Sequence, residues 1–188
     1  MIVVGNEPFI ESMAIDRDVA LVNFYEKITE VVVQYRSARN FVPVYIGSFD
    51  NIYLTQNRRK GFVDLMEYAK SNSDVQGVTI HAHHSEMENL RFSVEYTSDH
   101  IRDDQRIIIT EYSLMKHWRE NLNGFSPANF NSQYGFPADT RNYQVIDAAL
   151  KSPFTREKWT DFLSQSEWFE TRKTYLWDYY QLFKEFPK

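Results

Sequence analysis

Three of the four tryptophans sit in the last third of the chain, and this skew constrains the fold more than any other feature. Trp159, Trp168 and Trp177 share that stretch with Phe154, Phe162, Phe169, Tyr175, Tyr179, Tyr180, Phe183 and Phe186. Aromatic side chains bury large areas and dominate the energetics of cores and interfaces. A tail built this way caps a core, presents a binding surface, or does both. At the helical angle per residue, Trp168, Arg172, Tyr175, Leu176, Tyr179, Leu182, Phe183 and Phe186 make one stripe of a helix predicted over 166–186, widened by Phe169 and Tyr180. Glu170, Lys173, Thr174, Asp178, Gln181, Lys184 and Glu185 form the opposite face, and Trp177 falls among them. An exposed tryptophan of this kind belongs to the residue types enriched at binding hot spots. Trp177 and Tyr180 are therefore candidate binding residues.

Upstream, Leu21, Phe24, Tyr25, Ile28, Val31, Val32 and Tyr35 recur at helical spacing, predicting a helix over 17–38 with Asp16 or Asp18 at its cap. Residues 42–47 and 51–55 read as short strands around the turn residues Gly47-Ser-Phe-Asp50. A second helix fits 58–72. Val78, Ile80 and Ala82 alternate with Thr79, His81 and His83, and Leu90, Phe92, Val94 and Tyr96 alternate with Arg91, Ser93, Glu95 and Thr97. Such alternation predicts an antiparallel pair with one wet face. Residues 106–112 supply a further strand, and a helix starts near Ser113.

The segment 121–142 differs in kind. Asn123-Gly124, Ser126-Pro127 and Gly135-Phe136-Pro137 argue against regular structure, while Phe125, Phe130, Tyr134 and Phe136 argue for an ordered, packed loop. Phe130 and Tyr134 join the candidate binding residues. Helices follow near 143–151 and 156–163. The expected architecture is α+β: a five-stranded, mainly antiparallel sheet packed by N-terminal helices over 1–120, the aromatic loop over 121–142, and a helical subdomain over 143–188 on the same core.

The cluster His81-Ala-His83-His84 carries the most suggestive chemistry. Two histidines two apart on a strand share a face, the geometry two imidazole ligands need. Across the predicted hairpin Glu95 approaches His81 and offers a third ligand or a proton partner. His81, His83 and Glu95 are thus weak catalytic candidates, against the plainer expectation that they occupy a solvated hairpin face without a metal. Arg58, Arg59 and Lys60 stand where a helix begins; cations there oppose the macrodipole, so they form a weak candidate anion site. Asp99, Asp103 and Asp104 lack the spacing of a calcium loop. P-loop, GxGxxG, GxSxG and HExxH patterns are missing too.

A chain of 188 residues with 43% hydrophobic content can bury a real core. Its net charge of -5 disfavours a phosphate-tracking surface, so nucleic acid is an unexpected partner. Zero cysteines remove disulfides and thiolate chemistry. No run is long enough to span a membrane, and no signal segment opens the chain, so a cytoplasmic location is expected. Together these observations lead to a non-enzymatic protein-binding module of inhibitor, immunity-type or adaptor kind, with no cofactor. Its partner would be a protein, with a second copy of the chain among the candidates. The alternatives are a small-molecule sensor with an aromatic-lined pocket and a metal-dependent enzyme on the His81/His83 face.

Overall fold

The computed structural model describes residues 1–13, 18–35 and 41–186. These divide into two compact units, Met1–Leu114 with Leu182–Lys188, and Met115–Gln181.

The first unit is built on four strands in chain order: β1 (Ile2–Val4), β2 (Val44–Phe49), β3 (Val75–Ala82) and β4 (Arg106–Tyr112). All three pairings are parallel. This corrects the expected five-stranded, mainly antiparallel sheet. The physical signal lies in β2 and β3, where nearly every residue is buried on both faces, as in a parallel sheet covered by crossover helices. Those helices are α1 (Pro8–Glu11) and α2 (Val19–Tyr35) after β1, α3 (Lys60–Ser71) after β2, and α4 (Met87–Asp99) after β3. Asp16 and residues 17 and 36–38 of the expected long helix lie outside the described residues; Asp18 directly precedes α2, and its carboxylate accepts a hydrogen bond from the Gly61 amide at 3.1 Å.

Two expected strands do not form. Leu90–Thr97 belongs to α4, where Leu90, Ser93, Val94 and Thr97 are buried at helical spacing while Phe92 faces out. The alternation of Leu90, Phe92, Val94 and Tyr96 masked that period. Residues 51–55 form a turn into a 3-10 segment, Thr55–Asn57, with Asn51 at φ 55° and the Leu54 amide donating to the Asn51 carbonyl.

The core above α3 is aromatic. Phe62 of α3 meets Phe49 of β2 edge-on at 5.0 Å between ring centroids, and Phe9 of α1 packs on both. At the N-terminal end of the sheet, Gln105 donates to the carbonyls of Ala69 and Val75 at 2.7 and 3.0 Å, and Arg102 donates to those of Lys70, Asn72 and Val75. This end holds the end of α3 to the start of β3, and its work is structural.

The second unit is helical: α5 (Met115–Asn121), α6 (Ala128–Tyr134), α7 (Asn142–Lys151), α8 (Arg156–Gln165), α9 (Glu167–Glu170) and the first turns of α10 (Tyr175–Lys184). Its centre is Phe130, Val145 and Phe162, all fully buried, surrounded by Tyr134, Phe136, Phe154, Trp159 and Trp168. The segment 121–142, expected as a loop without regular structure, contains the helix α6, capped by Gly135 in the left-handed region. The single helix expected over 166–186 is interrupted between α9 and α10.

Candidate active site

In a parallel sheet the loops at the carboxyl ends of the strands carry the chemistry, whether the sheet is closed or open. Here three strand ends bring titratable side chains together. Glu7 follows β1, His81 and His83 lie at the end of β3, and Glu111 is the penultimate residue of β4.

Glu7 is placed by two backbone features. Gly5 takes φ +88°, and a Cβ there would stand 1.8 Å from the Tyr25 hydroxyl oxygen, so only glycine fits the close approach of the β1–α1 turn to α2. Glu7 itself sits in the left-handed region at φ 39°, ψ 54°, with Pro8 opening α1 behind it. A non-glycine residue held there is strained, and such strain gathers at functional sites.

Glu111 is placed by a bulge. Ile80 pairs with Ile109, but His81 pairs with Glu111, so Thr110 is the extra residue. Since side chains alternate along a strand, one inserted residue re-aims the next. Glu111 thereby joins the side of the sheet occupied by His81. The Thr110 hydroxyl instead bonds Ser48 Oγ at 3.0 Å, and Ser48 bonds Thr79 Oγ1 at 2.9 Å, a hydroxyl row spanning β2, β3 and β4 beneath the histidines.

His81 is the centre of the arrangement. Its ring is 1% exposed. Nδ1 lies 2.8 Å from Glu7 Oε1, and Nε2 faces Glu111 Oε1 at 3.6 Å without a hydrogen bond. His83 sets its ring 5.6 Å from that of His81, with Nδ1 2.9 Å from Ser113 Oγ and Nε2 3.3 Å from Glu111 Oε2. The side chain of Glu7 is 21% exposed and that of Glu111 55%, so the group opens to solvent on the Glu111 side. Tyr112, half exposed, is the neighbour of Glu111.

No family model, curated protein or solved structure matches the chain. The chemistry must therefore be read from the side chains.

The structure brings His81 and His83 together with Glu111, in a setting different from the expected one. The expected solvated hairpin face is a buried parallel strand, and Ser93 and Arg91 belong to a helix rather than to a partner strand. His84 points elsewhere, its Nε2 3.0 Å from Ser93 Oγ and its ring beside Tyr53. Glu95 is on α4, exposed, 3.8 Å from Arg91, and takes no part in the site. Arg58 lies over the rings of Phe92 and Tyr96 and donates to the Ile52 carbonyl at 2.5 Å, so its guanidinium serves packing. Lys60 pairs with Asp64, and Arg59 is exposed. Phe130 is fully buried, which removes it as a surface binding residue. Tyr134 packs on that same core, donates to Asp161 at 2.6 Å, and has its pKa pushed up to about 12 by that carboxylate. Trp177 and Tyr180 are exposed, at 61% and 53%, and their rings lie 5.6 Å apart.

Glu7 and Glu111 were missed. Read as a hairpin protein, the chain gave no reason to look for acids after the first and last strands. Read as parallel strands, Asn6-Glu7-Pro8 and Thr110-Glu111-Tyr112 stand at equivalent carboxyl ends.

Proposed function

We propose that the first unit carries a hydrolase site of the two-carboxylate kind, acting on glycosidic bonds. The observation that supports it is the placement of Glu7 and Glu111 on opposite nitrogens of one buried imidazole. Glycoside hydrolysis needs a proton donor and an ionised carboxylate separated by roughly 5–10 Å, the shorter spacing for a nucleophile and the longer for a base that activates water. The His81 ring separates the two acids, with Glu7 Oε1 2.8 Å from Nδ1 and Glu111 Oε1 3.6 Å from Nε2.

The environments separate the roles. Glu111 is the more exposed and stands on the open side of the group, which suits a nucleophile or base that must reach a substrate. Glu7 is the more enclosed and contacts His81 Nδ1, which suits the group that protonates the leaving oxygen.

A panel of 4-nitrophenyl glycosides tests the reading. At least one sugar should be released by the wild-type chain and by neither Glu111→Gln nor Glu111→Ala. The anomer of the first product, read by NMR, then distinguishes retention, with Glu111 as nucleophile, from inversion, with Glu111 as base. Release at unchanged rate by both Glu111 variants would refute the assignment.

A second reading keeps its own support. Trp177 and Tyr180 form an exposed aromatic pair in the second unit, in keeping with a protein-binding surface. Trp177→Ala should melt within about 0.5 kcal/mol of wild type and lose association with a partner or a second copy. Unchanged association would remove this surface from consideration.

A further inference from the structure

We infer that His81, His83 and Glu111 form a binding site for a divalent transition-metal ion of the zinc class. One ring nitrogen of each histidine and one carboxylate oxygen of Glu111 lie within 4.8 Å of one another. In a tetrahedral zinc site with bonds of about 2.0–2.1 Å, ligand atoms stand about 3.4 Å apart. His81 Nε2 lies 3.6 Å from Glu111 Oε1 and His83 Nε2 3.3 Å from Oε2, so each histidine stands near that spacing from one of the two carboxylate oxygens.

The surroundings orient the donors as well. Metal-bound histidines characteristically tie the other ring nitrogen to a carboxylate or another acceptor, fixing tautomer and ring angle. His81 Nδ1 meets Glu7 Oε1 at 2.8 Å and His83 Nδ1 meets Ser113 Oγ at 2.9 Å, leaving both Nε2 atoms directed at Glu111. His81 Nε2 is buried without a hydrogen-bond partner, an atom that an ion would satisfy. Two imidazoles and one carboxylate select zinc, copper or nickel over magnesium or calcium, which prefer all-oxygen shells. The exposed side of Glu111 leaves a coordination position for water.

This site rests on its own donor atoms and goes beyond the hydrolytic reading. An ion there occupies Glu111, so where that reading holds the ion is an inhibitor rather than a cofactor. The test measures binding without substrate. Chelator-treated full-length chain titrated with zinc in a calorimeter should take up one ion, and the His83→Ala chain should bind it more than about a hundredfold less tightly, beyond the 10–100-fold typical of losing only an outer-shell partner. Should His83→Ala not fold, nitrogen-15 NMR of the wild-type histidines replaces it: zinc should shift the Nε2 resonances of two of the five histidines. No uptake, equal uptake by wild type and a folded His83→Ala, or zinc shifts spread over the other histidines would each overturn the assignment. Magnesium at the same concentration should leave both readouts unmoved, and displacement of zinc by magnesium would also count against it.

Discussion

Replacing Glu7 with glutamine isolates the proton it is assigned to deliver. The amide has the shape of the carboxyl and can still meet His81 Nδ1, now 2.8 Å from Oε1, so the β1–α1 turn and the buried ring should stay in place. What disappears is the ability to protonate a leaving oxygen. A positioned general acid contributes roughly 10²–10⁴-fold, equivalent to about 3–5 kcal/mol of barrier. That loss should depend on the leaving group. A phenol as acidic as 2,4-dinitrophenol departs without help, so Glu7→Gln should hydrolyse its glycoside within about tenfold of wild type, while an alkyl or unsubstituted phenyl glycoside should lose the full 10²–10⁴. Glu111→Gln should lose both, because the ionised carboxylate is needed whatever leaves. The assay is kcat/KM against leaving-group acidity for three chains, with circular-dichroism melts as the folding control. Equal losses on activated and unactivated substrates in a folded Glu7→Gln chain would refute the role of Glu7 as acid.

Other perturbations probe the scaffold. Gly5→Ala adds a left-handed cost of about 1–2 kcal/mol to a collision with the Tyr25 ring, worth about 1–3 kcal/mol as overpacking; denaturant midpoints should fall accordingly, and an unchanged midpoint would mean the turn is free to move. Phe130→Ala empties the centre of the second unit and should cost about 3–5 kcal/mol, read as a lowered transition of that unit; a wild-type melt would show that Phe130 does not hold its core. Tyr134, raised to about 12 by Asp161, favours the folded state while it is neutral. Its contribution is complete below its ordinary pKa of about 10 and is lost as pH rises through its folded value. Ultraviolet titration should show this late phenol, and Asp161→Asn should return it toward the ordinary range.

Legibility followed the periods that burial imposes. The helices α3 and α7 are legible because each buries one stripe, Phe62, Leu65, Met66 and Ala69 in α3 and Val145 and Ala149 in α7. The helix α2 forms where its spacing predicts, but of its expected stripe Leu21 and Tyr25 are buried while Phe24, Ile28, Val31 and Tyr35 are exposed. The sheet was misread because a parallel strand covered on both faces has no wet side to mark it. In β3 the polar members Thr79 and His81 are as buried as Val78 and Ile80, so alternation in residue type did not mean alternation in exposure. The helix α4 was lost for the converse reason. Arg91 and Glu95 alternate with Phe92 and Val94 over a span too short to separate a period of 2 from one of 3.6. Reading Leu90–Thr97 as a strand creates the hairpin, and with it the pairing of Glu95 to His81.

The direction of the strands is therefore what the site depended on. An antiparallel hairpin puts the end of one strand beside the start of the next, so His81 could be given a partner only from its immediate neighbour in sequence. A parallel sheet puts all carboxyl ends at one edge, and residues more than seventy and nearly thirty positions away become neighbours: Glu7 across the helices α1 to α3, and Glu111 across α4. The bulge at Thr110 completes the placement, since without that extra residue His81 would face Thr110 and Glu111 would turn to the other side of the sheet. Deleting Thr110 should consequently leave a parallel β4 while removing Glu111 from the two histidines. Both hydrolysis and zinc uptake should then fall together, although no donor atom has been substituted. Retention of both in a folded deletion chain would show that the register at Ile80 and His81 does not set the geometry of the site.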